Sequence, residues 1–77
     1  MQVKILVFGQ LEDIVNEHEL TLLDMPDTNN VINELKKRYP ALAQARYIMA
    51  VDKQTITTNT NLKDGSTVAL LPPFSGG

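Results

Sequence analysis

The chain has 77 residues, no cysteine and a formal net charge of −2 at pH 7. This length makes one domain, and the lack of cysteine excludes disulfides, zinc–thiolate sites, iron–sulfur clusters and a cysteine nucleophile. The slightly acidic balance argues against general nucleic-acid binding. With no signal peptide and no apolar run of membrane-spanning length, a cytoplasmic protein without a membrane partner is expected.

The chain opens with two predicted strands around a short helix. Residues 2–8 are apolar on both faces near their end, which predicts a central strand covered on both sides there. Apolar spacing then predicts a short helix over 10–16 and a strand over 18–25. His18, between two glutamates, is expected on the surface.

The main helix is predicted over 29–39. It follows a cluster of N-cap residue types at 27–30 and stops before Pro40, which disfavours helical geometry at the residue before it. Its expected apolar stripe is Val31, Ile32, Leu35 and Tyr39.

Short elements fill the second half. Gly65 is expected to supply a positive φ in the turn 63–66, and Leu62 to anchor the loop before it. The remaining predictions are a helical turn over 41–46, a strand over 47–52, a hairpin turn at Lys53-Gln54, a return strand over 54–57 and a final strand over 67–71.

This order of elements predicts an α+β fold of the β-grasp (ubiquitin-like) type. A mixed sheet of four or five strands would wrap around the one main helix. The first and last strands would be parallel neighbours at the centre of the sheet.

The end of the chain is its least ordinary stretch. An apolar run at 68–71, expected to be buried, is followed by Pro-Pro-Phe-Ser-Gly-Gly. Prolines cannot donate to a strand ladder and favour an extended backbone, so residues 1–71 are predicted to form the domain and 72–77 an extended, flexible tail. The tail can reach roughly 20 Å, and its glycine tip could carry a carboxylate into a partner's active site.

The rest of the sequence offers no catalytic pattern. It contains no paired carboxylates at a useful spacing, no nucleophile–histidine arrangement, no phosphate-binding loop and no dinucleotide fingerprint. A non-catalytic protein with no metal site is therefore expected.

The chain resembles the MoaD family, the small sulfur-carrier subunits of molybdopterin synthases, within the MoaD/ThiS group of ubiquitin-like carriers. The resemblance covers essentially the whole chain, and the tail is its most specific part. Phe74 stands where family members more often have an aliphatic residue. The matching segments are Phe8-Gly9-Gln10, the helix near 29–39, Ala50-Val51-Asp52, Leu62-Lys63-Asp64-Gly65 and the stretch from Val68 to Gly77.

The resemblance implies a mechanism centred on Gly77. An ATP-dependent activating enzyme (MoeB-like) adenylates this carboxylate, and sulfur from a donor persulfide replaces AMP to leave a thiocarboxylate. The tail then enters the large catalytic subunit (MoaE-like) of a heterotetramer and supplies sulfur for the molybdopterin dithiolene, with cyclic pyranopterin monophosphate as acceptor. No cofactor is bound by the carrier itself, and ATP is used only by the activating enzyme.

Each tail residue has an expected role in this scheme. Gly77 is the covalent carrier, Gly76 keeps the backbone thin, and Phe74 is an apolar anchor, unless it folds back on its own sheet. The two prolines reduce the entropy lost when the tail is ordered on docking. The expected partner-binding residues are Pro72, Pro73, Phe74, Ser75 and Gly76.

Three other functions stay open from the sequence. A sulfur carrier of the thiamin pathway shares the fold and the Gly-Gly end. A ubiquitin-like modifier would join the same activated glycine to lysines of other proteins. A plain interaction domain with an inert tail would not be adenylated at all.

Overall fold

The structure, a computed structural model, describes residues 1–73. The predicted elements are all present, and their ends differ from the predictions by at most two residues. In chain order they are β1 (Gln2–Val7), α1 (Leu11–Val15), β2 (Glu19–Leu23), α2 (Thr28–Arg38), a 3-10 helix (Pro40–Gln44), β3 (Ile48–Val51), β4 (Gln54–Ile56) and β5 (Thr67–Leu71).

The strands form one mixed sheet of five, in the order β2-β1-β5-β3-β4. The first and last strands are parallel neighbours, as predicted, and the other pairs are antiparallel. The β-grasp prediction is confirmed. Because β1 and β5 run in the same direction at the centre, both end at the same edge of the domain.

The core lies between one face of the sheet and α2. Val31 and Leu35 of the predicted helical stripe are fully buried, and Ile32 and Tyr39 pack partly buried against the same cluster. The sheet contributes alternate residues to this cluster, as the period of a strand requires. These sheet residues are Val3, Ile5, Val7, Leu22, Val51, Val68 and Leu70.

The other face of the central strands is partly exposed near the ends of β1 and β5. The prediction that β1 is covered on both sides near its end is therefore wrong, since Phe8 is 44% exposed and Leu6 only half-buried. The run at 68–71 is likewise buried only at alternate positions, with Ala69 and Leu71 partly exposed. An apolar run in the sequence does not show whether a strand face is buried within its own domain or is covered by a partner.

The hairpin between β3 and β4 turns one residue earlier than predicted. Val51 pairs with Gln54, so the turn is Asp52-Lys53 rather than Lys53-Gln54. Both turn residues have positive φ, 48° and 73°, which matches the twist of the flanking strands in a two-residue hairpin. The predicted positive φ at Gly65 is confirmed at 86°.

Asp27 caps α2 and ties it to the loop that precedes β5. Its carboxylate accepts hydrogen bonds from the Asn30 backbone N–H at 2.9 Å and from the Asn59 side chain at 3.3 Å. The Asn30 side chain also donates to it. Leu62, the predicted anchor, belongs to this loop and is buried. The hydrogen bonds from Asn30 and Asn59 lower the pKa of Asp27 below its usual 3.8.

We expect this cap to make the stability of the domain depend on acid pH. The pKa of Asp27 in the folded state lies below the unfolded value of 3.8. The contribution of the ionised cap to the free energy of unfolding is therefore complete above pH 3.8 and is lost as the pH falls through the lowered pKa. Asp27→Asn cannot titrate, so its denaturation midpoint should fall less than the parent's between about pH 5 and about pH 3. Equal falls would contradict this account of Asp27.

Candidate functional site

The tail starts at the centre of the sheet, beside the end of β1. The Phe8 N–H donates to the Leu70 carbonyl at 3.0 Å, which extends the pairing of β1 and β5 to their common end. Pro72 then lies against Gly9, close enough that a Cβ on Gly9 would be 2.7 Å from the Pro72 Cγ. The first residue of the tail is thus packed on the domain, while Pro73 is exposed.

Beside this tail root lies an apolar surface on the partly exposed face of the sheet. We call Leu6, Phe8, Ala69 and Leu71 the open-face patch. Leu6 is directly opposite Ala69 in the pairing of β1 and β5. The four side chains line a shallow groove of about 670 Å³. Phe8 is exposed and the other three side chains are half-buried, so this patch is the candidate surface for a partner on this side of the domain.

The same face becomes polar away from the tail. One row further along the strands, Lys4 is opposite Thr67, and Thr67 is hydrogen-bonded to Asp52 through both its N–H and its carbonyl. Lys53 lies at this polar end of the groove, whereas Glu19 is opposite Leu6 on β2 and forms a lateral edge of the groove. The apolar part of the face is therefore the part next to the tail, so a partner that covers the patch also meets the tail root.

The structure describes only some of the predicted site residues. Pro72 and Pro73 are placed directly after β5, as expected. Phe74, Ser75, Gly76 and Gly77 lie outside the described residues, so their roles stay predictions. The sequence predicts that exposed apolar residues on the sheet face near the tail form a partner surface, but it was not used to predict which ones. The signal for the open-face patch was present, because both faces of two adjacent strands are apolar only near the tail.

Other candidate sites are weaker. His18 is on the surface, as predicted, where it contacts the Glu12 carboxylate. Within residues 1–73, no cluster of histidine and acidic side chains could hold a metal ion. A second open groove lies between the start of α2 and the β3–β4 hairpin, with Ile32, Tyr47 and Ile56 in its lining. No helix in the described part of the chain is long and apolar enough to cross a membrane.

Comparison with known proteins gives a family match and full-length relatives. The ThiS family model matches residues 5–77. A protein of Chlamydomonas reinhardtii named molybdopterin synthase sulfur carrier subunit is 31% identical over 83 residues, and the alignment covers all of both chains.

Two solved structures share the fold over the whole chain. One chain of the complex of subunits 1 and 2 of molybdopterin-converting factor from Helicobacter pylori is matched with a TM-score of 0.76 and 26% identity, and all of both chains is covered. The small archaeal modifier protein 1 of Methanosarcina acetivorans is matched with a TM-score of 0.83 and 25% identity, over 99% of this chain and 96% of the other.

Proposed function

Because this chain belongs to the ThiS family, we propose that it is the sulfur-carrier subunit of a molybdopterin synthase, with the sulfur held on the carboxyl group of Gly77. The observation that carries the proposal is the placement of the open-face patch beside the root of a tail that ends in Gly-Gly. The domain docks through the patch, and the tail delivers its carboxyl group.

The chemistry requires activation of Gly77 by another protein. A carboxylate is a poor electrophile, so an ATP-dependent activating enzyme converts it to an acyl-adenylate with release of pyrophosphate. The outer sulfur of a donor persulfide then attacks the acyl-adenylate and displaces AMP, which gives an acyl disulfide. A second thiol attacks the donor's sulfur of this disulfide and forms a new disulfide with it, so the thiocarboxylate is released at the tail tip. The described residues of this chain hold the tail root in place. The expected location of the protein is the cytoplasm.

The two partners compete for one tail. It can reach only roughly 20 Å from its root, so the activating enzyme and the large synthase subunit must each place an active site within that distance of Pro72, and both need the same Gly77. They therefore bind in turn rather than together. The relative solved as a complex of subunits 1 and 2 supports the larger partner subunit.

Reconstitution tests the proposed function. The chain is prepared with a C-terminal thiocarboxylate and mixed with a large molybdopterin synthase subunit and cyclic pyranopterin monophosphate. We expect dithiolene product to form, with two thiocarboxylates consumed for each molecule of product. Absence of product, with the large subunit shown to be active on its own carrier, would contradict the proposal.

The structural similarity to a small archaeal modifier protein supports a second candidate function, a ubiquitin-like modifier. The same adenylated glycine would then form an isopeptide bond with lysines of other proteins. Gly77-linked conjugates on lysine side chains in a cell lysate would favour this function. Free thiocarboxylated chain without conjugates would favour the sulfur carrier.

A further inference from the structure

We propose that Gly9 is a positioning residue for the tail. It forms a seat for the Pro72 ring and so determines where the carrier arm leaves the sheet. This inference rests on the proposed function, because it assigns to Gly9 a part in the delivery of Gly77 to the partner's active site.

Close packing gives the first evidence for the seat. A Cβ built on Gly9 would lie 2.7 Å from the Pro72 Cγ, 3.4 Å from its Cδ and 3.7 Å from its Cβ. The first of these distances is too short for two carbon atoms. A proline ring is closed on its own backbone, so rotation of the side chain cannot relieve the overlap. A methyl group at position 9 would therefore move the tail backbone itself.

Hydrogen bonds also hold the backbone on both sides of the contact between Gly9 and Pro72. The hydrogen bond of Phe8 to Leu70 fixes the strand two residues before Pro72. Gly9 is fixed in turn, because its carbonyl accepts from the Glu12 N–H at 3.1 Å at the start of α1. A displaced Pro72 thus cannot be accommodated by a general shift of β5, and the change is passed on towards residues 73–77.

Displacement of the root matters because the patch holds the domain in place on the partner. The tip position is then set by the direction in which the tail leaves Pro72. A misplacement of about 1 Å in a reacting group can lower a rate by about 100-fold. The remaining tail can adjust in part, so we expect a loss of about tenfold for Gly9→Ala.

The chain contains a matched control for backbone strain. Gly9 and Gly65 both have positive φ, 60° and 86°, so alanine is strained at either position. A Cβ at Gly65 would meet nothing within 4 Å. Gly65 also lies at the opposite end of the sheet, where its N–H donates to the Gln2 carbonyl. Gly65→Ala therefore carries the strain without disturbing the tail.

The test uses chains that already carry the thiocarboxylate, so that activation is not needed. Single-turnover sulfur transfer is measured with a saturating large subunit. We expect Gly9→Ala to lower the rate about tenfold with an unchanged dissociation constant, and Gly65→Ala to keep the parent rate. Pro72→Ala removes the Cγ and Cδ atoms and leaves only the 3.7 Å neighbour. Gly9→Ala should therefore have no further effect in the Pro72→Ala chain.

Two results would overturn the inference. One is a Gly9→Ala chain as fast as Gly65→Ala, and the other is an equal effect of Gly9→Ala whether residue 72 is proline or alanine. A parent chain that transfers no sulfur would instead reject the proposed function. In that case NMR still tests the contact between Gly9 and Pro72. Nuclear Overhauser cross-peaks between the Gly9 Hα and the Pro72 ring protons in the parent chain support the seat, and their absence rejects it.

Discussion

Deletion of Gly77 is expected to abolish sulfur transfer while the thermal stability of the domain stays unchanged. The reacting carboxyl group would then belong to Gly76, one residue short of the position that the activating enzyme and the synthase require. Within the described residues, the hydrophobic core extends no further along the chain than Leu70, so the deletion leaves every described core residue in place. Under the proposed function, Gly77→Ala should behave in the same way, because its Cβ enlarges the reacting tip of the tail.

Melting curves and synthase turnover check this expectation together. Gly65→Ala serves as the control, because it changes a glycine far from the tail root. The control should support turnover at the parent rate. A Gly77 deletion that melts well below the parent, or that still supports turnover, would show that the end of the chain is part of the fold or is not the carrier.

A charge in the open-face patch is expected to weaken docking of the large subunit. Phe8 is 44% exposed beside the tail root, and Phe8→Asp would bring a carboxylate into the covered centre of the interface. Loss of a central aromatic contact costs about 2 kcal/mol or more, which corresponds to at least about a thirtyfold rise in the dissociation constant. The fold should tolerate the change, since Phe8 is outside the core cluster.

Leu23 provides the matched control for Phe8. It is 58% exposed and is opposite Gln2 in the pairing of β1 and β2, far from the tail root. Calorimetric titration of each aspartate variant into the large subunit gives its dissociation constant. Comparing the two shows whether docking depends on the patch or on exposed apolar surface in general. Equal losses for Phe8→Asp and Leu23→Asp, or no loss for Phe8→Asp, would contradict the assigned docking surface.

The arrangement of the sheet could be predicted because local and global signals agree. Strands at both ends of the chain and one strong helix between them leave few arrangements that obey the crossover rules. The cluster of N-cap types at 27–30 and Pro40 set the ends of α2 to within one residue. The core side of each strand follows from the same alternation of residues.

Tertiary contacts explain what the sequence did not predict. Apolar residues at positions 8, 69 and 71 are compatible both with packing against a helix of the same domain and with covering by a partner. The structure was therefore needed to locate the open-face patch. The contact between Gly9 and Pro72 joins residues 63 positions apart along the chain, and no local pattern reports it. The hairpin register depended on which two residues between β3 and β4 took a positive φ.

The most direct test of the sulfur-carrier function is to look for sulfur on Gly77 itself. The chain is purified from cells that contain the activating machinery, treated with a thiol-specific alkylating reagent, and mapped by mass spectrometry. Because the chain has no cysteine, a label can sit only on acquired sulfur, whereas intact mass alone would confuse it with methionine oxidation. The account predicts a label at Gly77. An unlabelled chain, with the activating enzyme present and active, would contradict it.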